Sequence, residues 1–289
     1  LKGEKIYDHD YAVVIMIAHG RTPEVNNLAY SWITGFENVA AEFRAYEIAI
    51  ALAEHIQWMG FSAHAHDWEI GSVDMNRLAI LGGLALRNGD IIINPYLGEK
   101  FAIAAVTTEY DLYCDTPLGD GAKKAKGIGY MFGAGGAVPG LEWRRREKRP
   151  THLSNYPLEQ VDRVDRPTTL IIDDEVPKVS KRSEFFERAA RGDLGEKSKR
   201  ERSRFAMKHP FAQSMVSLIK CMVPEQSGVT ADKVDGYDNA ESNTKAIKSL
   251  SYFLGSEMTG ICEIPDYAWY SHREDGSKIE PYNKYAIVM

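Results

Sequence analysis

"NVAAEFRAYEIAIALAEHIQWMG", residues 38–60, carries the strongest helical signal in the chain. Val39, Phe43, Tyr46, Ile50 and Ala53 recur at helical spacing. Ile48, Leu52, Ile56 and Met59 widen that stripe, and Gly60 supplies the stop. The spacing predicts a helix from Asn38 to Met59 that turns this stripe toward a core. Tyr46 lies on the stripe, where a lone tyrosine packs its ring and keeps its hydroxyl at the rim.

Working outward, "YAVVIMIA" at 11–18 reads as a strand leading into a polar loop with Pro23, Asn26 and Asn27. On the other side, "DMNRLAILGGLALRNG" (74–89) continues in a helical pattern, weakened by Gly82 and Gly83 and ended at Gly89. "DIIINPYLGEKFAIAAVTTEYDL" (90–112) then reads as two β segments around a Pro-Tyr-Leu-Gly turn. Residues 119–160 change character: "GDGAKKAKGIGYMFGAGGAVPG" is glycine-rich and "EWRRREKRP" is basic, the pattern of a connecting segment. Helices resume at "SKRSEFFERAARGDLG" (180–195), where Ser180 or Ser183 can cap and Gly192 can terminate. They continue on both sides of Pro210, and again in "ESNTKAIKSLSYFLG" (241–255), with Ala246, Leu250, Phe253 and Leu254 on one face. "EMTGICEIP" and "KYAIVM" are strands around the aromatic-rich "DYAWYSHREDGSK".

The two ends repeat each other. Aligned without a gap, Gly3, Lys5, Ile6 and Met16 fall on Gly276, Lys278, Ile279 and Met289, and Tyr11-Ala12 matches Tyr285-Ala286 after a one-residue shift in the loop. A slipped strand would turn its core face outward, so the length difference belongs to the loop. The pattern is that of the back of one unit joined to the front of another. Leu1 in place of a starting methionine, and a last residue inside a strand pattern, make both ends read as truncated.

With 289 residues, 44% hydrophobic and 26% charged, the chain has room for about two globular domains. A net charge of −6 argues against a general nucleic-acid binder. No apolar run approaches the ~20 residues of a membrane span, and no basic-then-apolar leader opens the sequence. Cys114, Cys221 and Cys262 form no CxxC pair, which excludes an iron–sulfur or structural zinc signature within this chain. Their odd number suits a reducing, cytoplasmic setting.

Three local motifs invite chemistry. "HAHD" places His64 and His66 two apart beside Asp67, the pairing with which metal hydrolases begin a ligand shell, but no other histidine forms a partner motif. "FGAGG" (132–136) lacks the Lys-Ser/Thr of a phosphate loop, which leaves a linker. "RRR" (144–146) has neither the N-terminal position nor the following apolar stretch of a twin-arginine signal, so it reads as a solvated basic segment.

"FRAYEIAIALAEHIQWMGFSAHAHD" followed by "DMNRLAILGGLALRNGDIIINPYLGEKFAIAAVTTEYDL" resembles the cobalamin-binding core of reductive dehalogenases: a tyrosine-bearing helix, a Gly-rich helix, and an Asn-Pro turn before a strand. "VDRPTTLIIDDEVPKVSKRSEFFERAARGDLG" through "YFLGSEMTGICEIPDYAWYSH" looks like the front of the same kind of domain. The order is similar to the soluble type, in which a degenerate copy precedes a catalytic one. The resemblance implies an α/β (α+β) fold with a cobalamin-reductase/nitroreductase-like mixed sheet flanked by helices, in a tandem degenerate repeat. It divides the chain into a degenerate copy (1–118), a Gly-rich and basic linker (119–160), and the truncated N-terminal part of a catalytic copy (161–289).

In the family's active copy the helix tyrosine protonates the substrate carbon, and a Lys or Arg on the strand after the Asn-Pro turn assists it. Tyr46 matches that tyrosine as a remnant. The cation's place falls on Ala102, with Lys100 at a different position two residues earlier. The cysteine motif expected after "EYDL" is reduced to Cys114. The whole protein is therefore expected to be an oxidoreductase that removes halogen from organohalides, with cobalamin and two 4Fe-4S clusters. This chain alone is expected to hold neither and to bind no metal. The implied partners are a small organohalide, an electron donor such as a reductase or ferredoxin, and a second copy in a homo-oligomer, with no nucleic acid and no membrane. Two other readings stand beside it: a non-catalytic module that shapes the substrate funnel or mimics a dimer partner, and a His64/His66 metal hydrolase.

Overall fold

The computed structural model describes residues 9–69, 71–124, 126–134, 138–165, 172, 175–204, 209–232 and 236–289. Strand β1 (Tyr11–Ala18) leads through a loop and a single helical turn, α1 (Tyr30–Ile33), into α2 (Glu37–Trp58). There follow β2 (Ala63–His66), α3 (Met75–Leu81), the short strands β3 (Leu86–Asn88) and β4 (Ile91–Ile93), and β5 (Phe101–Thr108). β5 is the centre of a three-stranded sheet of order β1-β5-β2. Its register with β1 runs from Tyr11↔Thr108 to Ala18↔Phe101, and with β2 from Ala63↔Thr108 to His66↔Ala105. Both pairings are antiparallel, so the mixed sheet implied by the resemblance is an antiparallel one among the described strands.

Helices cover both faces of this sheet. On one side Ala104 and Val106 meet Ala45, Ala49, Ala53 and Ile56 of α2; on the other, Phe101 and Ile103 meet Ala79 and Ala85. Buried on both faces, β5 reads as a continuous apolar run with no alternation, as a central strand should.

The helix at 37–58 forms where its periodicity placed it, with Ala53 and Ile56 of the expected stripe in the core and Tyr46 and Leu52 packed against it, but with the inward face centred on alanines. Ala41, Ala45, Ala49 and Ala53 are buried, one per turn, whereas Val39 and Phe43 are exposed. Small side chains let the helix axis come close to the sheet, and a ridge of alanines outcompetes a stripe of larger residues for that seam.

The Gly-rich helix is shorter than expected. It is capped at its start by Asp74, whose carboxylate accepts the Arg77 amide at 3.1 Å, and it ends at Gly82-Gly83. Gly83 sits at φ +69. There the Leu84 amide reaches back to the Ala79 carbonyl (2.9 Å) and the Gly83 amide to Ile80 (3.1 Å), a Schellman closure that needs a left-handed residue. The rest of the expected helix is the β3–β4 hairpin, turning at Gly89-Asp90 with Gly89 at φ +63. The Asn-Pro turn is as read: Asn94 Oδ1 accepts the amides of Tyr96 (2.8 Å) and Leu97 (3.0 Å), and its Nδ2 donates to Leu84 O (2.7 Å).

The segment 119–160 is not a bare linker. It contains α4 (Ile128–Met131) and α5 (Gly140–Lys148). The Arg-Arg-Arg run is helical, with Arg146 paired to Glu142 at 3.1 Å. Of "FGAGG", Gly135 and Gly136 lie outside the described residues.

In the second half, Ser180 caps a 3-10 turn before α6 (Phe185–Arg191), which Gly192 closes at φ +91. α7 (Glu196–Glu201) follows, and α8 (Pro210–Met222) places its proline at the first helical position, where no amide is needed. α8 packs on α2, with Phe211 edge-on to His55. α9 (Ala240–Phe253), capped by Asn239, buries Ala246 against Ala29 and Ile33, with Leu250 and Phe253 beside them. Leu254, expected on that face, is exposed. The chain closes on a two-stranded ribbon of β6 (Gly260–Glu263) and β7 (Tyr285–Val288). Both copies of the repeated phrase that fall within the described residues are thus strands; residues 3–8 lie outside them. Among the described residues no helix is long and apolar enough to cross a membrane.

Candidate functional site

A groove of about 1,020 Å³ lies between the loop after β1, the Asn-Pro turn, the α5 region and α9. Gly20 stands where that loop passes over Phe253, so closely that a Cβ there would lie 2.5 Å from the ring. Arg21 ties the groove's far wall down: its Nη1 donates to the carbonyls of Arg146 (2.7 Å) and Arg149 (2.8 Å) at the end of α5, where the Arg149 amide also reaches the Arg146 carbonyl at 3.2 Å. Burial lowers the pKa of this guanidinium, opposed by the carboxylate of Glu24. Glu24 in turn accepts from the Thr151 hydroxyl at 2.9 Å. Ser249 on α9 lies 3.3 Å from that hydroxyl and accepts from Asn27 Nδ2 at 2.9 Å. One polar network therefore joins the first loop, the connecting segment and the second half.

Tyr46 is not in this groove, nor in the second, smaller cavity beside Asn26 and Tyr237. Its ring is half-buried against the α2–β5 core, alongside Ala45, Ala49 and Val106. Among the described residues its hydroxyl has no partner. Ala102 is buried on β5, paired with Ile17, on the strand face shared with Ala104 and Val106. Lys100 lies just before the strand, exposed in the groove, with its carbonyl accepting the His19 amide at 3.1 Å. The structure thus separates the tyrosine from the lysine: one packs in the core, the other faces solvent.

The histidines of "HAHD" have a different use. His66 is buried, and His64 stacks edge-on at 4.7 Å. The Ser72 amide, which can only donate, reaches His66 Nδ1 at 3.3 Å. The neutral ring must then carry its proton on Nε2, which lies 2.8 Å from Thr107 Oγ1. That leaves the Thr107 proton for His9 Nδ1 (2.8 Å), and His9 Nε2–H for Ser62 Oγ (2.8 Å). Both ring nitrogens of His66 are committed, and no group of three His, Cys, Asp or Glu able to hold a metal exists among the described residues. His66 is a structural brace between β2 and β5, and among the described residues the pair does not start a ligand shell.

No protein-family model matches the chain, and comparison with curated proteins finds no match. Solved structures do match. A reductive dehalogenase whose structure suggests a mechanism for B12-dependent dehalogenation superposes with a TM-score of 0.90 at 39% identity, over 96% of this chain and 41% of that one. The catabolic reductive dehalogenase NpRdhA, N-terminally tagged, matches at 0.89 and 39% over the same shares, as does its complex with 3-bromo-4-hydroxybenzoic acid. The chain belongs to the reductive dehalogenase family. It spans 41% of the length of those relatives.

The cysteines of this chain do not make a cluster site by themselves. Cys114, Cys221 and Cys262 are exposed on three separate elements, the loop after β5, α8 and β6, and three thiolates fall short of the four that a cubane cluster takes. Sequence reasoning missed Arg21, Glu24, Thr151 and His9. None carries a local motif, because their partners are 53 to 128 residues away, on elements whose docking no pattern reports.

Burial, then the charges of His64 and His9, lower the pKa of His66, while Asp67 raises it. A histidine that is harder to protonate when folded stabilises the protein fully above its unfolded pKa, about 6.5, and loses that contribution as pH falls through the lower folded value. Thermal unfolding between pH 7 and 5 is expected to show a fall in Tm that His66→Gln reduces. An unchanged slope in the variant would remove His66 from the brace.

Proposed function

We propose that this chain is part of a cobalamin- and iron–sulfur-dependent reductive dehalogenase acting on halogenated aromatics. The likeness at 39% identity over 96% of the chain carries the reading. Residues 1–118 are a degenerate copy of the cobalamin domain, 119–160 a connection, and 161–289 the front of the catalytic copy in a nitroreductase-like tandem repeat. Three features support a non-reacting first copy: a core-packed Tyr46, Ala102 in the place of the family's cation, and scattered cysteines. In the intact protein the cofactor supplies the carbon–halogen chemistry. Overall, an aryl halide takes up two electrons and a proton, giving the arene and a halide ion. The electrons come from a donor such as a reductase or ferredoxin, in a cytoplasmic setting suited to three free thiols.

The test uses the intact protein, prepared anaerobically with cobalamin and reconstituted clusters, with 3-bromo-4-hydroxybenzoic acid as the probe, the compound bound by NpRdhA. Bromide and 4-hydroxybenzoate are expected in equal amounts; no bromide release from this or other halogenated aromatics would overturn the reading. Tyr46→Phe in the same protein is expected to leave turnover intact and to cost less than about 1 kcal/mol of stability, since the hydroxyl it removes has no partner among the described residues. A collapse of turnover in that variant would show that the first copy still reacts.

A further inference from the structure

Among the described residues β7 bonds along one edge only, to β6. Opposed pairs in an antiparallel ladder alternate between bonded and unbonded, so one bond fixes the rest. The Ile264 amide donates to the Lys284 carbonyl at 2.9 Å, in the register that sets Cys262 opposite Ala286 and Gly260 opposite Val288. Lys284, Ala286 and Val288 therefore turn their amides and carbonyls toward β6. Tyr285 and Ile287 turn theirs the other way, where they meet no partner among the described residues.

In β1 the matching edge is filled. The His19 amide donates to the Lys100 carbonyl at 3.1 Å, in the register that sets Tyr11 opposite Thr108 and Val13 opposite Val106. Tyr11 and Val13 therefore bond to β5. The Tyr-Ala match of the repeat sets Tyr11 on Tyr285 and Val13 on Ile287, and in each strand they are the first and third residues. The open edge of β7 is thus the edge that β1 gives to β5. Had the match been one residue different, the β5-facing positions would have fallen on residues already bonded to β6.

We infer that in the intact protein this edge carries a third strand, antiparallel to β7 and apolar on both faces, which stands to β7 as β5 stands to β1. It belongs to the same polypeptide, beyond Met289; the 41% of its relatives' length that this chain spans leaves room for it. The side chains argue the same way. Ile287 is 48% exposed and Val288 58%, on opposite faces of β7. Their counterparts in β1 are covered: Val13 packs on the α2 side of the sheet and Val14 on the α3 side. Apolar residues on both faces call for apolar cross-strand neighbours on both faces, which is the character of β5. A two-stranded ribbon is marginal in water, and an apolar strand with an open edge is a template for another. The inference rests on the tandem-repeat reading and not on the dehalogenation chemistry.

Hydrogen exchange resolved to single amides in the intact, unsubstituted protein tests it. The amides of Tyr285 and Ile287 are expected to exchange at least about a hundredfold more slowly than unpaired amides, alongside those of Ala286 and Val288. Protection at Ala286 and Val288 alone would overturn the proposal. Photo-cross-linking from Ile287→p-benzoylphenylalanine then identifies the neighbour, and capture of an apolar strand beyond Met289 in the same polypeptide is expected. Capture of a segment within residues 1–289, or of a second chain, would overturn it as well. Bromide release judges the dehalogenase reading separately: alternating exchange along β7 would leave that reading standing, and a protein that releases no bromide can still show the protected edge.

Discussion

Replacing Ala49 by leucine is expected to destabilise the protein by about 1–3 kcal/mol, while removing the much larger side chain of Phe43 changes stability by no more than about 0.5 kcal/mol. By bulk alone the order would be the reverse. Ala49 is fully buried on the face of α2 that meets Ala104 and Val106, and β5 behind it is paired on both edges and packed on both faces. Added methylenes have nowhere to go without lifting the helix from the sheet. Phe43 is 72% exposed, so Phe43→Ala removes little buried area. Urea unfolding of the two variants followed by circular dichroism decides it. A milder effect from Ala49→Leu than from Phe43→Ala would mean that α2 docks through its bulky stripe.

Gly83→Ala is expected to cost about 2–4 kcal/mol, against about 1–2 kcal/mol for Gly89→Ala. Both glycines have positive φ, +69 and +63, so both substitutions pay the left-handed penalty. Only at position 83 does the new methyl meet anything: its Cβ would stand 2.5 Å from the Thr116 carbonyl oxygen, whereas nothing lies within 4 Å at position 89. The obstacle at 83 is backbone, which cannot swing aside as a side chain would. Equal effects of the two substitutions, read from midpoints in the same denaturant series, would show that the 113–118 loop gives way.

The Asn-Pro turn, the long helix and the strand at 11–18 were legible because each depends on residues within a few positions of one another. Asn94 bonds the amides two and three residues on, and the helix shows its period within a few turns. The hairpin at 86–93 was misread although its Asn-Gly-Asp signal is in plain view. The helical pattern before it was carried past Gly82-Gly83, the point where a Schellman closure stops it. The inward face of α2 was read only in part, for a different cause: Ala53 and Ile56 of the expected stripe are in the core, while Val39 and Phe43 face out. Period alone admits two stripes there, one bulky and one of alanines, and a sequence does not say how close the opposing strand will come.

By itself, then, the sequence determined the long helix, the Asn-Pro turn and the strand at 11–18, the family likeness carried by the order of its motifs, and the lack of a cluster-binding cysteine set: each is written in local spacing or residue type. The tertiary structure alone decided that Tyr46 packs in the core while Lys100 faces the groove. It alone decided that His66 is spent bracing Thr107 and Ser72, and that Arg21 fastens α5 more than a hundred residues downstream. The physical reason is the same in each case. A side chain's chemistry is set by what stands within about 3 Å of it, and when that neighbour comes from a distant stretch of chain, no pattern along the sequence records the meeting.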